Sequence, residues 1–567
     1  MDDASKIIRH FENLKNVRLP LENDWRTAAS ACLARDYGNW QISYPGSYGS
    51  TLTSNQTSGA NQSRMMNVDT TASLALPKYV ALLMKLLTPT GQDWHDIGPF
   101  DSALLDNRDI ADWFSQVKKI LFKKRYEASA GFASCQSQTY TQLGVYGNGA
   151  KFIMKDIKNN GIIYKAISSK DIWFSVDENN RPNCVYRNVP NMTKENIINA
   201  FGIENISSDI MTELNSSDDQ SRTFEIIHCV KANDNIDKDS LAIDKKYAYV
   251  GRYIFKKIKT FIGDIEGYNT MPYIISRDYS DPGIAYGYSP AMLCLASIGS
   301  ANAIKRSLIK IGQKSADPPL IAYDNNSVNG RISLNPSAIN FGCLDAQGRE
   351  LVKPVPIGDF QLGMQLLEED RNAINDAFHT NLYDLISKPD NGQSEIDAML
   401  RASEKAVLVA PLMERLIATD LGPTIDRELE ILFSLKLLPP LPIKLQGKQY
   451  KIEYRSPLMK SLLSDNITDF MRVVGWAAQQ AQVSGDNTVM ARFNFPQAIK
   501  DICQQYSIPS QWLRTDDEVA QIAQQNQQAQ QAEQIQKLAP AISGGLKAQA
   551  VAQQAGGSLL PQQTQQQ

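Results

Sequence analysis

The spacing of apolar residues predicts helices over much of the first part of the chain. Over residues 1–40, apolar side chains recur every three or four positions, so we predict two helices joined around Pro20. A further helix should occupy residues 69–87, because Asp and Thr caps precede it and a Pro- and Gly-containing turn follows it. The helical spacing returns over residues 106–144.

Short apolar and β-branched runs follow, separated by turn residues, and this alternation is typical of antiparallel strands. The runs form two groups, residues 150–189 and residues 223–275. We predict a small β region from the first group and a second β-rich set from the other. One more strand is predicted over residues 449–454, after a proline-rich connector.

The middle of the chain predicts two long helices around a compact insertion. Ser289 can cap a helix and Pro290 suits its first position, so the first helix should begin there. It should run to about Gln313 and end before the Asp-Pro-Pro sequence at residues 317–319. The second should run from Phe360 to Ile386. A helix of about 24 residues is about 36 Å long, and a rod of two such helices needs neighbours to bury it. Small residues in the first helix would permit close approach between subunits or, equally, packing inside one core.

A long helical tract is predicted over residues 394–438, after the turn at residues 387–392. Proline removes a backbone donor, so we expect a kink at Pro411 and a break near Gly422-Pro423. Beyond residue 456 the pattern is helical again, and from Gln521 the chain becomes rich in Gln and Ala.

Composition indicates a folded chain of several lobes. Its 567 residues are 43% hydrophobic and 21% charged, and the predicted elements give an α+β class that is mainly α-helical. The net charge of -3 indicates that any DNA partner is not held tightly. Seven scattered cysteines make a poor disulfide or zinc framework, so we expect reduced thiols. We also expect no secretory signal and no membrane span.

Enzyme signatures are weak throughout the sequence. The four histidines lie far apart, and no P-loop motif for nucleotide binding occurs. Gly147-Asn148-Gly149 precedes a predicted strand, whereas a phosphate-binding loop precedes a helix. The acidic pairs Asp218-Asp219 and Asp516-Asp517 fall in polar surroundings that suit no two-metal nuclease. We therefore predict no enzyme, no metal and no cofactor.

Four motifs, taken in their order, resemble a known family. They are AYGYSP at residues 285–290, ADPP at residues 316–319, LGVYGNGA at residues 143–150 and IEYRSPL at residues 452–458. Together with the element order over residues 5–515, they resemble the portal (head-to-tail connector) proteins of short-tailed, T7-like double-stranded-DNA bacteriophages. Each motif alone is weak, and the order carries the resemblance.

The resemblance implies a portal fold assembled as a ring of twelve subunits around a DNA channel. The implied parts are a wing (residues 1–284 and 394–455), two stem helices (285–313 and 358–386), a clip (314–357), a tunnel loop (387–393) and a crown (456–538). Residues 539–567 form a Gln- and Ala-rich tail outside the pattern. Independently, the residues at 515–538 predict a helix that would extend the crown. A disordered polar tail stays open as the alternative for this segment.

The resemblance also implies functional residues. Acids and amides on the second stem helix would face the channel, where weak repulsion keeps DNA from sticking: Asp370, Asn375, Asp376, His379 and Asn381. The tunnel loop would comprise Ser387, Lys388, Pro389, Asp390, Asn391 and Gly392. The clip would dock its partners through Asp324, Asn325, Asn326, Arg331, Asp345 and Arg349. Without the resemblance, a solvated helix face would be the preferred interpretation of the first set and a plain surface turn that of the second.

The implied function is a channel at the capsid vertex for DNA packaging, DNA ejection and tail attachment. The implied partners are major capsid and scaffolding proteins, a terminase motor, a tail adaptor, internal core or ejection proteins, and double-stranded DNA passing through. Assembly would take place in the bacterial host cytoplasm, and the product would reside in the virion. A capsid-associated or internal ejection protein stays open as the alternative.

Overall fold

The computed structural model of the chain describes residues 4–33, 68–101, 104, 107–216, 222–233, 236–237, 240, 242–316, 320–322, 343–344, 347–354, 360–387, 409–445, 450–454, 470–480, 482, 490, 492–505, 518–519, 521–522 and 524–525. They fall into two units, Met1–Asp465 and Asn466–Gln567. Helices and strands are mixed within the first unit, in agreement with the predicted class.

The first part of the chain is mainly helical, with elements α1 (Ala4–Cys32), α2 (Thr71–Leu87), β1 (His95–Pro99), α3 (Arg108–Arg125) and α4 (Phe132–Tyr146). The prediction of α2 is confirmed. The helical pattern predicted over residues 106–144 is confirmed as two helices, which Gly131, with a left-handed φ of 71°, separates.

The N-terminal residues form one helix, so the prediction of two helices joined around Pro20 is wrong. Pro20 lies inside α1. An internal proline costs a helix about 3 kcal/mol, but tertiary contacts hold α1 on both sides of it. Phe11 and Trp25 are buried, and the Arg18 guanidinium donates to the main-chain oxygen of Ile172 at 2.6 Å.

The next region carries most of the strands. In chain order its elements are β2 (Asn148–Asp156), β3 (Gly161–Ile167), β4 (Ile172–Val176), β5 (Pro182–Thr193), α5 (Lys194–Phe201), α6 (Ser208–Leu214), β6 (Thr223–Ala232), α7 (Ile243–Lys246), β7 (Tyr249–Phe255), β8 (Thr260–Tyr268) and β9 (Tyr273–Arg277). Two antiparallel sheets result, with strand orders β3-β2-β9 and β4-β5-β6-β7-β8.

The strands do not divide between the sheets as the sequence suggests. The first group of runs splits, because β2 pairs on one side with β3 and on the other with β9 from the end of the second group. Strands β4 and β5 instead continue into the five-stranded sheet through β6. Hydrogen bonding between strands that are far apart in the sequence therefore decides which sheet each strand joins.

The middle of the chain contains α8 (Pro290–Leu293), α9 (Leu295–Ala316), β10 (Leu320–Ala322), β11 (Val352–Pro354), α10 (Phe360–Ala377) and α11 (Thr380–Ser387). The predicted cap is confirmed, since the Ser289 hydroxyl accepts from the Met292 amide at 3.0 Å. The predicted single helix is divided, because a turn at Cys294 separates α8 from the long helix α9. The short strands β10 and β11 pair antiparallel, so the insertion leaves and rejoins the helices through neighbouring strands.

The second long helix is interrupted where the sequence predicts continuity. His379 has a left-handed φ of 53° between α10 and α11. The interruption turns the Phe378 side chain inward, where it is fully buried against the Tyr79 ring at 6.1 Å. Burial of a large aromatic side chain outweighs the cost of breaking a helix at one residue.

The first unit closes with α12 (Ala410–Leu416), a π-helical turn (Ile417–Leu421), α13 (Gly422–Ser434) and β12 (Tyr450–Tyr454). Residues 394–408 of the predicted tract lie outside the described residues. The predicted break at Gly422-Pro423 is a π-helical turn instead, which leads into Pro423 without ending the helix. Strand β12 is confirmed, and it pairs with β1, a strand that the sequence pattern does not reveal.

A hydrophobic core runs through the first unit and includes side chains from α1, α2, α4, β2, α10 and α13. In the second unit, residues 470–480 and α14 (Phe495–Gln505) are helical. Within the helix predicted at residues 515–538, the six described residues, 518–519, 521–522 and 524–525, are helical.

Candidate functional site

The helix pair α9 and α10 corresponds to the two long helices predicted in the middle of the chain. Leu308 of α9 packs where Gly363 of α10 has no side chain, since a Cβ there would lie 2.8 Å from the Leu308 Cδ2. Lys305 and Arg371 meet at one carboxylate, that of Asp69. The two contacts occur in opposite order along the helices, so α9 and α10 are antiparallel.

Apolar side chains on this pair stay exposed in the single chain. Four of them, in the first two turns of α10, are between 45% and 55% exposed: Phe360, Leu362, Met364 and Leu366. Ile309 on α9 is also exposed. Residues four apart align along a helix, so Leu362 and Leu366 share one face of α10. Phe360 and Met364 share another face. Exposed apolar pairs of this kind favour an interaction site. The helix pair therefore presents a surface that the chain itself does not cover.

Asp69 ties both helices of the pair to the start of α2. Its Oδ2 accepts from the Arg371 Nη2 at 2.7 Å and lies 3.4 Å from the Lys305 Nζ. Its Oδ1 accepts from the Thr71 amide at 2.9 Å, and the Asn302 Oδ1 accepts from the Asp69 amide at 3.0 Å. Burial alone would raise the pKa of Asp69, but the hydrogen bonds from Thr71 and Arg371 outweigh it and lower the pKa to about 2.

Asp69→Asn should lower the free energy of unfolding by about 1–2 kcal/mol at pH 7. A carboxyl group with a depressed folded-state pKa stabilises the fold above its unfolded pKa of about 3.9, and this contribution is lost as the pH falls toward 2. Urea unfolding measures the free energy of unfolding of the variant and of the native chain at pH 7 and at pH 3. The difference between the two proteins should be smaller at pH 3. The control Asp24→Asn, at an exposed position on α1, should have little effect at either pH. A pH-independent difference would contradict this account of Asp69.

Four of the five residues predicted to line a channel lie at the break between α10 and α11. The Thr380 hydroxyl donates to the Asn375 Oδ1 at 3.1 Å, and the Asn381 Nδ2 donates to the exposed Asp376 Oδ1 at 2.7 Å. Burial lowers the pKa of His379, against a smaller raising effect of Asp376. These residues therefore satisfy one another locally.

The fifth predicted lining residue, Asp370, is half-buried and lies earlier on α10. Of the predicted tunnel loop, Ser387 is the last residue of α11, and the other five lie outside the described residues. Of the predicted clip surface, Arg349 is exposed beside the bridge between Leu344 and Glu350, and the other five lie outside the described residues. Whether these sets act as predicted stays a prediction.

A polar contact that the sequence does not reveal anchors the end of the second long helix. The Tyr79 hydroxyl donates to the Asp278 Oδ2 at 2.7 Å, and the Tyr79 ring contacts Phe378. An Arg415 nitrogen lies 3.8 Å from the other Asp278 oxygen, but burial dominates and raises the pKa of Asp278 to about 7. The Lys78 ammonium donates to Asp384 of α11 at 2.9 Å. Two adjacent residues of α2 therefore hold this region in place: Lys78 bonds to α11, and Tyr79 contacts Phe378 just before α11 begins.

Two fully buried ion pairs join α13 and its π-helical turn to the rest of the unit. Arg125 forms a double hydrogen bond with Glu428, which also accepts from the Tyr164 hydroxyl. The third guanidinium nitrogen lies 2.8 Å from the His95 Nε2. Burial and the adjacent Arg125 charge lower the pKa of His95 well below its usual value, so this ring is neutral and accepts the hydrogen bond.

The second ion pair joins Lys151 to Asp420 at 2.9 Å, and Gln136 bonds to both side chains. Partners in both pairs are about 270 to 300 positions apart in the sequence, so no local sequence pattern predicts either ion pair. Desolvated charges need such complete pairing. These contacts fix the position of α13 and its π-helical turn against the rest of the unit.

Some expectations concern what the chain lacks. In the described part, no group of three or more His, Cys, Asp or Glu side chains could hold a metal ion. None of the helices described is both long and apolar enough to cross a bilayer. The six cysteines whose side chains are described form no disulfide with one another.

Comparison with known proteins gives consistent matches. Residues 4–513 match the family model described as bacteriophage head to tail connecting protein. The chain is 23% identical over 499 residues to the portal protein of Salmonella phage epsilon15, covering 85% of this chain and 84% of that protein. It is 20% identical over 421 residues to a probable portal protein of Bordetella phage BPP-1, covering 72% and 74%.

Solved structures were also matched. A chain from the neck of a native GTA particle gives a TM-score of 0.34 at 13% identity, covering 71% of this chain and 86% of that one. A chain from the virion of a native gene transfer agent gives 0.31 at 13% identity, covering 70% and 89%. The family match spans nearly all of the chain and agrees with the resemblance carried by its motifs. The chain therefore belongs to the bacteriophage head-to-tail connecting protein family.

Proposed function

We propose that the chain assembles into a closed ring of twelve subunits, and that double-stranded DNA passes through its channel where the phage head joins the tail. The observation that carries the proposal is the family match over residues 4–513. In this role the ring admits DNA during packaging, releases it at ejection and attaches the tail. The chain itself supplies a conduit, and the energy for DNA movement comes from a separate motor.

The helix pair supports ring formation. Its two helices are antiparallel, and the apolar side chains at the start of α10 stay exposed in one subunit. A heterologous contact between such surfaces closes into a ring when the rotation between neighbours permits. Asp69 holds both helices against the body, so each subunit would present its pair in a fixed orientation.

The parts of the ring follow the proposed family plan. Residues 1–284 and 394–455 form the wing, the helix pair forms the stem, and residues 314–357 form a clip that projects from the stem. The paired strands β10 and β11 support this placement, because they close the base of the insertion at the end of the two helices. The clip would meet the terminase motor during packaging and the tail adaptor afterwards.

The channel surface is proposed to repel DNA weakly. Acids and amides near the break between α10 and α11 would face the channel, with the tunnel loop at the narrowest point. The net charge of -3 supports a conduit that does not trap phosphates, since DNA-gripping proteins concentrate basic residues. The crown, residues 456–538, would extend toward the capsid interior, where internal core proteins meet it. Capsid and scaffolding proteins would surround the wing.

Electron microscopy of the purified full-length chain tests this proposal. We expect closed rings with a central hole, and mass photometry should give one dominant species of twelve subunits. A monomer that persists at micromolar concentration in several salt conditions would contradict the ring. Closed shells or solid particles without a hole would instead favour a capsid-associated or internal protein.

A further inference from the structure

A pocket lies where the two sheets of the first unit meet, and the proposed ring function does not use it. Its volume is about 340 Å³, at the lower end of the range for ligand sites. We call it the junction pocket, and its lining includes Lys165, Arg187, Met192, Phe201, Tyr253 and Asp264. The lining residues come from β3 of one sheet, from β5, β6, β7 and β8 of the other, from α5 and from the short turn that follows it.

The backbone of β8 is shaped around this pocket. Gly251 and Tyr253 on β7 pair with Glu266 and Ile262, so three residues of β8 stand opposite one residue of β7. Within this bulge Gly263 has a left-handed φ of 74°, and a Cβ there would lie 2.7 Å from the Phe201 ring. Bulges commonly re-aim side chains beside functional sites. Here the bulge and the missing side chain let Phe201 form one wall.

The charges of the junction pocket are divided between its sides. Lys165 and Arg187 lie on β3 and β5, whereas Asp264 and Glu266 lie on β8. Strands β5 and β8 are three positions apart in the sheet, which corresponds to about 14 Å at the usual strand spacing. The pocket therefore has a basic end and an acidic end, with Tyr253 and apolar side chains between them.

Internal bonds already engage the acidic end. The Asp264 Oδ2 accepts from the Asn205 Nδ2 at 3.2 Å, and Glu266 accepts from the Tyr268 hydroxyl and lies 3.4 Å from the His228 Nε2. At the basic end, neither Lys165 nor Arg187 forms a salt bridge with any carboxylate of the described residues. Partial burial and the nearby Arg187 charge lower the pKa of Lys165, as expected for a lysine beside a second cation.

We propose that the junction pocket binds a short peptide segment of a partner protein that carries a carboxylate beside an aromatic or aliphatic side chain. The carboxylate bonds to Lys165 and Arg187. The apolar side chain packs against the Phe201 and Tyr253 rings, which contact each other edge to face with centroids 5.0 Å apart. The planar guanidinium of Arg187 can bind both oxygens of a carboxylate at once, which fixes the orientation of the bound group. The pocket volume admits one or two side chains, so the surrounding peptide lies across the mouth.

The proposal can be tested with a random heptapeptide library displayed on filamentous phage and selected on the purified full-length chain. Peptides that also bind the Lys165→Gln/Arg187→Gln protein are removed. The remaining peptides are synthesised and titrated with the native chain and the double variant by fluorescence polarisation. We expect Asp or Glu next to an aromatic or aliphatic residue. The double variant should bind about tenfold or more weakly, and Asp→Asn or Glu→Gln in the peptide should cause a similar loss.

The matched control is Lys155→Gln, which changes an exposed lysine on the neighbouring strand β2 that does not line the pocket. The affinity of this variant for the selected peptides should stay within about twofold of the native value. Thermal unfolding of every variant shows whether folding is intact, and Lys165→Gln alone, at an exposed position, should already weaken binding. The proposal is overturned if no selected peptide depends on Lys165 and Arg187, or if those selected lack a carboxylate. It also fails if inorganic phosphate alone occupies the pocket tightly, because the site then recognises a free anion. The result does not depend on ring formation, so its failure leaves the proposed channel function intact.

Discussion

Arg125→Met should lower the free energy of unfolding by about 3–5 kcal/mol, which is the cost of leaving one member of a buried ion pair without its partner. Glu428 is fully buried, and Arg125 supplies two of its hydrogen bonds. The Tyr164 hydroxyl remains as a donor but carries no compensating charge. Urea unfolding, or thermal unfolding where refolding fails, measures the change.

Two further variants distinguish a buried charge from a lost contact. Arg125→Met/Glu428→Leu removes both charges, so it should be more stable than Arg125→Met alone. Lys123→Ala changes an exposed lysine on the same helix, and its effect should stay within about 0.5 kcal/mol. A small loss for Arg125→Met, equal to that of Lys123→Ala, would show that the pair contributes little.

Leu362→Lys/Leu366→Lys should convert the proposed ring into monomers. Both leucines lie on α10 and are about half exposed in the single chain, so the monomer fold tolerates lysine there. In a ring, each lysine would be placed against a neighbour's apolar surface, and burial of an unpaired charge costs several kcal/mol per contact. Mass photometry should show the ring species lost and the monomer species gained.

The control for this variant is Gln365→Lys/Asn372→Lys. It adds the same charge to the same helix at two exposed polar positions that remove no apolar surface. Rings should persist in the control at the same protein concentration. If both variants assemble equally well, the apolar side chains of α10 do not form the subunit contact.

Local signals predicted much of the helical structure. The Ser289-Pro290 start, the stop before the Asp-Pro-Pro sequence and the helix ending at Leu87 all depend on neighbouring residues, and each is confirmed. The predictions were wrong or incomplete where contacts with residues distant in the sequence determine the local structure. Pro20 stays inside a helix because Phe11 and Trp25 are buried on either side of it, and β1 becomes a strand because β12 pairs with it.

The candidate site was predictable to a lesser extent. The two long helices follow from their spacing, but the break at His379 depends on a pocket for Phe378 that α2 provides. Neither the junction pocket nor the contacts of Asp69 could be read from sequence, because each draws side chains from segments far apart in the chain. Which residues face a channel depends on neighbouring subunits as well, and so lies beyond any pattern within one chain.

The distance along the chain between the buried ion-pair partners has a consequence for synthesis. Glu428 follows Arg125 by 303 residues, and Asp420 follows Lys151 by 269. At about 5–20 residues per second, a ribosome needs about 15–60 s to deliver the later partner. Throughout that interval the nascent polypeptide carries two cations whose burial would be uncompensated. We therefore expect any translation product that stops before Asp420 to leave its core open to proteolysis, which would keep incomplete subunits out of the virion.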